Sequence, residues 1–159
     1  HIAIYSESGH GTTVKIYLPR QQAAAEAPAT QPISASPHGS ETILFVEDDD
    51  QVRTVVFQML SKLGYRVISA SSGAEALALA QGYQPGQIDL LITDLVMPGM
   101  SGRELSAQIR LSDPQIKILF ISGYSESILS SHPSLGDDVT LLSKPFSAAD
   151  LAHKIRSLL

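Results

Sequence analysis

Apolar residues recur with two different periods along residues 41–159, and the two periods alternate. Short apolar runs have the length of buried strands, and the segments between them repeat their apolar positions every three or four residues, as on a helix. The first such segment, from about Asp50 to Leu63, is followed by Gly64, a residue type that commonly ends helices. The pattern therefore predicts strands and helices in alternation.

This alternation gives approximate bounds for each element. The predicted strands cover about Thr42–Glu47, Arg66–Ser69, Ile88–Thr93, Gln115–Ser122 and Val139–Leu142. The predicted helices cover about Asp50–Leu63, Gly73–Gln81, Ser101–Leu111, a short segment Ser125–Ser131, and Ser147–Leu159 with Ser147 as N-cap. Five strands alternating with five helices imply an α/β fold of the flavodoxin-like, doubly wound class, with a five-stranded parallel sheet and helices on both faces.

Two other regions precede this globular part. Residues 1–20 alternate apolar and polar positions on both sides of Ser8-Gly9-His10-Gly11, which predicts a β-hairpin that stops at Pro19. Residues 21–40 are rich in Ala, Pro, Gln, Ser and Thr and contain no aromatic residue. Because such a segment cannot bury enough apolar surface to offset the entropy of ordering it, we predict a flexible linker there.

Composition restricts the function classes. The chain has 159 residues and a formal net charge of -5, without the clusters of Lys and Arg that neutralise nucleic-acid phosphates. It contains no Cys, which excludes disulfides, thiolate catalysis and Cys-based zinc sites, and no apolar run long enough to span a bilayer. We therefore expect a cytoplasmic region that contacts neither nucleic acid nor membrane directly, whether or not its parent protein is attached to a membrane.

Charged side chains follow three of the predicted strands at the point where each strand ends. Glu47 and Asp48 follow the first strand, Asp94 follows the third, and Lys144 follows the fifth. Because the carboxyl ends of parallel strands share one edge of the sheet, we expect these groups to lie together. Carboxylates about 4 Å apart repel each other by about 4 kcal/mol per pair at an effective dielectric constant of about 20, so such a cluster persists only with a cation, usually a hard divalent metal.

Four motifs in this order and at these intervals resemble those of response-regulator receiver domains, across nearly all of residues 41–159. They are Ile43-Leu44-Phe45-Val46-Glu47-Asp48-Asp49, the phosphoacceptor loop Asp94-Leu95-Val96-Met97-Pro98-Gly99-Met100-Ser101-Gly102, the switch motif Phe120-Ile121-Ser122-Gly123-Tyr124, and Lys144-Pro145-Phe146. Any one motif is a weak signal, but four in order make a strong one. The resemblance implies Mg²⁺-dependent acceptance of a phosphoryl group from a phosphohistidine on a histidine-kinase or histidine-phosphotransfer domain.

The resemblance also implies a set of metal ligands. Asp48 would bind Mg²⁺ directly, Glu47 would act through a metal-bound water, and Asp94 would contribute its carboxylate. Val96 would contribute only its backbone carbonyl. Asp49 and Asp50 are explained better by the following helix, because acidic residues at a helix N-terminus interact favourably with its dipole. A register shift by one residue, which would make Asp48 and Asp49 the acidic pair, is the minor alternative, because the alignment of the motif on the strand favours Glu47 and Asp48.

Three residues receive catalytic roles from the same resemblance. Asp94 would be the phosphoacceptor, whereas Asp89 lies at the other end of its strand and fits a capping role better. Lys144 would place its ammonium against the phosphoryl oxygens, and the following Pro145 predicts a fixed, cis peptide bond that aims it. Ser122 would donate its hydroxyl to the phosphoryl group once that group is in place.

Residues 1–20 resemble a different family. The run Ser6-Glu7-Ser8-Gly9-His10-Gly11-Thr12-Thr13-Val14-Lys15-Ile16-Tyr17-Leu18-Pro19 is similar to the C-terminal end of a histidine-kinase ATP-binding domain. The chain thus resembles the end of a hybrid sensor histidine kinase, with a kinase remnant at 1–20, a linker at 21–40 and a receiver at 41–159. The motifs that bind ATP and metal in such kinases have no match, so we expect no kinase activity from this chain, although a receiver promotes its own phosphorylation and dephosphorylation.

Two other functions compete with this interpretation. A phosphorylation-independent interaction module that regulates a histidine kinase would be expected to lack an acidic residue or the lysine, and none is missing. A flavodoxin-like cofactor binder would need a phosphate loop rich in glycine or hydroxyl groups after the first strand, where this chain has Glu47-Asp48-Asp49-Asp50. One position departs from the receiver pattern: many receivers carry an aromatic residue three positions before the lysine, and this chain has Leu141, which cannot present a ring to a partner.

Overall fold

The computed structural model describes residues 1–18, 38–123 and 140–159. Its strands are β1 Ile2–Glu7, β2 Gly11–Ile16, β3 Thr42–Val46, β4 Arg66–Ala70, β5 Leu90–Asp94, β6 Lys117–Ser122 and β7 Thr140–Ser143. Its helices are α1 Asp50–Lys62, α2 Gly73–Ala80, α3 Gly102–Ser112 and α4 Ala148–Leu158. The chain divides into two compact units, His1–Ser34 and Ala35–Leu159, which we describe separately.

The first unit contains the predicted hairpin. Strands β1 and β2 pair antiparallel, with Ile2 opposite Ile16 and Glu7 opposite Gly11. Gly9 and Gly11 have φ angles of 81° and 88°, a region that glycine enters without steric cost and that suits the reversal of the chain. The predicted stop at Pro19 and most of the predicted linker at 21–40 lie outside the described residues.

The second unit is built on a parallel sheet with the strand order β4-β3-β5-β6-β7. After β3 the chain moves outward to β4 and then returns to the other side of β3 to form β5, so the direction of winding reverses between β3 and β5. Ligands of open α/β sheets bind beyond the carboxyl ends of the strands at such a reversal. This arrangement confirms the predicted flavodoxin-like doubly wound fold.

Side chains alternate between the two faces of the sheet and form two apolar cores. Ile43 and Phe45 of β3 belong to one core, whereas Leu44 and Val46 belong to the other. Helices α1 and α4 cover the first face, and α2 and α3 cover the second, as their buried positions show. These four residues of β3 are fully buried, which explains why they form a continuous apolar run in the sequence.

The observed elements agree with the predicted ones, with ends shifted by a few residues as is usual for such bounds. The strand predicted at Ile88–Thr93 begins at Leu90, and Asp89 before it accepts a hydrogen bond from the Thr42 backbone N–H at 2.7 Å. Ser147 is the N-cap of α4 as predicted, and Ser101 caps α3 in the same way. The short helix predicted at Ser125–Ser131 lies outside the described residues.

A polar cluster lies just before β3, where the chain enters the sheet. Arg156 of α4 places Nη2 2.7 Å from Glu41 Oε1, and its Nε donates a hydrogen bond to the Tyr65 hydroxyl at 3.1 Å. The Gly39 backbone N–H donates to the Leu63 carbonyl at 3.0 Å. A Cβ at Gly39 would lie 2.1 Å from the Tyr65 ring, so only glycine fits there without displacing the ring.

Candidate functional site

The carboxyl edge of the sheet brings four charged side chains together, those of Glu47, Asp48, Asp94 and Lys144. Lys144 Nζ lies 2.7 Å from Glu47 Oε2 and 2.6 Å from Asp94 Oδ2. Glu47 follows β3, Asp94 ends β5 and Lys144 follows β7, so this one ammonium links the ends of three strands. The structure therefore places these residues together as the sequence predicts.

Glu47, Asp48 and Asp94 form a compact acidic group. Each offers a carboxylate oxygen, and these oxygens all lie within 4.8 Å of one another. Glu47 is only 2% exposed, the Asp94 side chain is 13% exposed, and Asp48 is exposed. Three carboxylates against one ammonium leave the group with net negative charge, and an all-oxygen donor set is the kind that hard divalent cations prefer. The residues present thus fit a metal ion.

The pKa values of Glu47 and Lys144 are both raised, which disfavours the charged form of Glu47 and favours that of Lys144. Burial raises the pKa of Glu47 above its ordinary value, and the nearby Asp94 charge adds to this, although Lys144 opposes it. Burial alone would lower the pKa of Lys144, but hydrogen bonds to Asp94 and Glu47 outweigh it and raise that pKa. Lys144 therefore stays charged. The positive charge of Lys144 does not fully offset the cost of burying the Glu47 carboxylate, as expected for a site with an excess of negative charge.

The backbone around Asp94 fixes its carboxylate. The Val96 backbone N–H donates to Asp94 Oδ1 at 2.9 Å, while Oδ2 faces Lys144. Thr93 is fully buried and its hydroxyl donates to the Asp94 carbonyl at 3.0 Å. A Cβ at Gly102 would lie 2.1 Å from that same carbonyl oxygen, so the start of α3 approaches β5 only because this residue is glycine.

Ser122 and Val96 lie at the same edge. Ser122 ends β6, is 1% exposed, and its carbonyl accepts a hydrogen bond from the Lys144 backbone N–H at 2.7 Å. This backbone bond ties the end of β6 to the residue that carries the ammonium. Val96 follows Asp94 by two residues and its side chain is 60% exposed. The peptide bond between Lys144 and Pro145 is cis, as predicted.

The acidic residues after Asp48 belong to the start of helix α1. Asp49 is its N-cap, and Oδ1 accepts hydrogen bonds from the backbone N–H groups of Gln51 at 2.8 Å and Val52 at 3.0 Å. These bonds lower the pKa of Asp49. They favour the capping role over the alternative in which Asp49 replaces Glu47 in the acidic pair, because the capping oxygen is already engaged.

Arg53 is a contact of the site that sequence reasoning missed. Its Nη1 donates to the Glu47 carbonyl at 2.8 Å and to the Asp48 carbonyl at 3.3 Å, and Nη2 contacts Asp50. The sequence contains a signal for this contact. A basic residue in the first turn of a helix is unfavourable with the helix dipole, so its presence suggests a nearby partner. Leu141 is half-buried and packs against the core under α2 and α3.

A family model and a curated relative both match this chain. A family model described as response regulator receiver domain matches residues 43–156. The sensor kinase CckA of Brucella abortus (strain 2308) is 37% identical over 162 residues, a match that covers 97% of this chain and 17% of the kinase. The chain thus spans 17% of the length of that relative.

Solved structures are also similar to this chain. A receiver domain from the hybrid histidine kinase CckA is 39% identical with a TM-score of 0.63, over 74% of this chain and 98% of that one. The response regulator TrrA from Thermotoga maritima, solved in complex with Mg(2+)-BeF, is 31% identical with a TM-score of 0.60, over 75% of this chain and 99% of that one. Within residues 1–18, 38–123 and 140–159, no helix combines the length and the apolar character that a bilayer-spanning segment requires.

Proposed function

Since the chain belongs to the response regulator receiver family, we propose that it accepts a phosphoryl group from a phosphohistidine onto Asp94 in a Mg²⁺-dependent reaction. The observation that carries this proposal is the convergence of Glu47, Asp48, Asp94 and Lys144 at one edge of the sheet, with Lys144 Nζ 2.6 Å from Asp94 Oδ2. Acceptance of a phosphoryl group needs a nucleophile, a fixed cation and a place for a metal, and these four residues supply all three.

Asp94 is the nucleophile of the proposed reaction. One carboxylate oxygen forms a bond to phosphorus while the bond between phosphorus and the imidazole nitrogen of the donor histidine breaks, and the electron pair of that bond leaves with the imidazole. The Val96 backbone N–H holds Oδ1 at 2.9 Å, so the carboxylate is oriented before the donor arrives. Such prior orientation removes part of the entropic cost of the transfer.

Lys144 and Ser122 act on the oxygens of the transferred group. The Lys144 ammonium now lies between two carboxylates, and an incoming phosphoryl group would offer it a third anionic partner at the same edge. Ser122 ends the adjacent strand and is almost fully buried, so its hydroxyl would face the group from the β6 side. These assignments give Asp94, Lys144 and Ser122 the catalytic roles.

Glu47, Asp48, Asp94 and the backbone carbonyl of Val96 would hold Mg²⁺. When bound, the ion supplies positive charge that neutralises the oxygens of the phosphoryl group. The support for Mg²⁺ is the all-oxygen donor set of Glu47, Asp48 and Asp94, together with the related TrrA, which was solved with Mg(2+)-BeF. The exposure of Asp48 leaves room for coordinating water, which Mg²⁺ usually retains.

We assign the domains as a histidine-kinase remnant at 1–20, a linker at 21–40 and a receiver at 41–159. The match to the sensor kinase CckA supports this organisation, because it covers 97% of the chain and therefore extends beyond the receiver. The partner in phosphotransfer is then a histidine-kinase or histidine-phosphotransfer domain. A cytoplasmic location follows from such partners.

A phosphorylation-independent role in regulating a histidine kinase is the second candidate. Leu141 is the observation that favours it, because this half-buried aliphatic residue stands where many receivers carry an aromatic switch residue. The complete acidic group and its lysine favour phosphorylation over this alternative.

The proposal is tested by incubating the protein with acetyl phosphate in the presence and absence of Mg²⁺. Wild type should gain the mass of one phosphoryl group only when Mg²⁺ is present, as measured by intact mass spectrometry. The isosteric variant Asp94→Asn should gain none. Asp89→Asn is the matched control, because its side chain lies at the opposite end of β5 and bonds to the Thr42 backbone. Phosphorylation of Asp94→Asn to the level of wild type would refute the acceptor assignment.

A further inference from the structure

The Arg53 guanidinium contacts the backbone of the acidic pair Glu47 and Asp48. Nη1 donates to the carbonyl oxygens of Glu47 and Asp48, at 2.8 and 3.3 Å, so the contact is to their peptide groups and not to their carboxylates. Nη2 contacts the carboxylate of Asp50, on the same turn of helix α1. The Arg53 side chain is only 21% exposed.

The charges around Arg53 show why a cation at this place matters. Five carboxylates lie on or beside the loop that follows β3 and at the end of β5: Glu47, Asp48, Asp49, Asp50 and Asp94. Among the described residues, the ion pairs to members of this set come from Lys144 on the side of β7 and Arg53 on the side of α1. Carboxylates with so little compensation repel each other and would spread apart unless their backbone is held.

We propose that Arg53 is a positioning residue for the divalent-cation site, fixing the peptide groups of Glu47 and Asp48 so that both carboxylates face Asp94. The inference rests on the proposed function, because it takes the acidic group to be a metal site. Nη1 contacts the two successive carbonyls while Nη2 is held at Asp50, and a planar group held in this way restricts rotation of the peptide between Glu47 and Asp48. Once that peptide is fixed, the directions in which the two side chains leave the backbone are fixed as well.

This role depends on the shape of the guanidinium and not only on its charge. A lysine ammonium is a point charge on a flexible stem and cannot present a rigid fork to two neighbouring carbonyls and one carboxylate. The charge itself acts in the opposite direction, because a cation close to the site disfavours the binding of a second cation. Positioning and charge therefore predict different results for the same substitutions.

The experiment compares wild type with Arg53→Lys and Arg53→Gln, measuring Mg²⁺ affinity by isothermal titration calorimetry on the full chain at one ionic strength. Both variants should bind Mg²⁺ about tenfold more weakly, the usual loss when a residue that orients metal ligands is changed. Arg110→Gln is the control for charge, because Arg110 is an exposed residue in the last turn of α3. It should bind Mg²⁺ as wild type does.

Thermal unfolding separates positioning from folding. If Arg53 positions the ligands, added Mg²⁺ should raise the unfolding temperature less for both variants than for wild type. The scans start at a temperature where wild type and both variants are folded. Equal affinities for wild type and Arg53→Lys, with tighter binding by Arg53→Gln, would show that only charge acts and would overturn the inference. A lower unfolding temperature with unchanged Mg²⁺ affinity would overturn it as well.

The same samples distinguish this inference from the proposed function. Wild type that binds no Mg²⁺ and takes no phosphoryl group from acetyl phosphate would overturn both. Wild type that is phosphorylated in a Mg²⁺-dependent way, together with Arg53 variants of unchanged affinity, would overturn the positioning role and leave the phosphoacceptor assignment standing.

Discussion

The receiver unit contains two ionic clusters at opposite edges of the same sheet. At the carboxyl edge, Lys144 contacts Glu47 and Asp94 at 2.7 and 2.6 Å. At the amino edge, Arg156 contacts Glu41 at 2.7 Å and donates to the Tyr65 hydroxyl at 3.1 Å. The distances are alike, but the first cluster gathers excess negative charge and the second is balanced.

The two glutamates show what this difference does. Burial raises the pKa of Glu47, even though Lys144 is in contact with it. The Arg156 guanidinium holds the pKa of Glu41 below its ordinary value, with burial opposing it. A balanced pair stabilises its own charged state, whereas an unbalanced cluster keeps a carboxylate under electrostatic strain that a further cation would relieve. Such perturbed groups are typical of functional sites.

The largest expected effect comes from removing the cation of the carboxyl-edge cluster, with the cation of the amino-edge cluster removed for comparison. Lys144→Met should slow phosphorylation by acetyl phosphate by about 100-fold, the scale found when one electrostatic contact to a transition state is lost. Arg156→Met should leave that rate unchanged and lower the free energy of unfolding by about 1 kcal/mol, since a partly exposed ion pair contributes little more. The rates are measured by intact mass spectrometry at saturating Mg²⁺, and the free energies by urea unfolding.

Both variants replace a cation by an unbranched apolar side chain, so each serves as the control for the other. A phosphorylation rate for Lys144→Met equal to that of wild type would contradict the role of Lys144 in phosphoryl transfer. An equally large loss of rate in Arg156→Met would show that the amino-edge cluster is not merely structural.

The acidic edge was predictable from sequence because it depends on strand ends. Four buried β3 residues lead directly into Glu47, Asp94 is the last residue of β5, and Lys144 follows the last residue of β7. The carboxyl ends of parallel strands must share an edge, so order along the chain fixes proximity in space. The strand register places Ser122 at the same edge, since Asp94 pairs with Ile121 and Ser122 pairs with Ser143.

The partners of the two arginines could not be predicted in this way, even where the sequence marks the arginine itself as unusual. Arg53 reaches carbonyl oxygens, and every residue has a carbonyl, so no side-chain pattern marks the partner. The contacts of Arg156 with Glu41 and Tyr65 join residues far apart in the sequence, and they depend on how α4 packs beside the start of β3. Helix packing of this kind is set by the whole core, which single motifs do not encode.

A smaller effect is expected when the buried glutamate loses its charge. Glu47→Gln should raise the free energy of unfolding at neutral pH without Mg²⁺ by about 1 kcal/mol, the scale of single stabilising substitutions. The reason is that Glu47 is 2% exposed and shares Lys144 with Asp94, so its ionised form is poorly compensated. Urea unfolding measures the gain, and calorimetry should show weaker Mg²⁺ binding. A loss of stability without Mg²⁺ would mean that Lys144 fully compensates Glu47.

The smallest expected effect is at the balanced cluster. Glu41→Gln should lower the free energy of unfolding at pH 7 by about 0.5 kcal/mol, because a partly exposed ion pair is lost. The pKa of Glu41 is lower in the folded than in the unfolded chain, so its contribution is complete above the ordinary glutamate pKa and disappears as the pH falls through the folded value. The difference between wild type and Glu41→Gln should therefore be constant from pH 7 to pH 5 and shrink below about pH 4, near the unfolded glutamate pKa. Urea unfolding at each pH measures it, and a difference that grew on acidification would contradict the lowered pKa and with it the balance assigned to this edge.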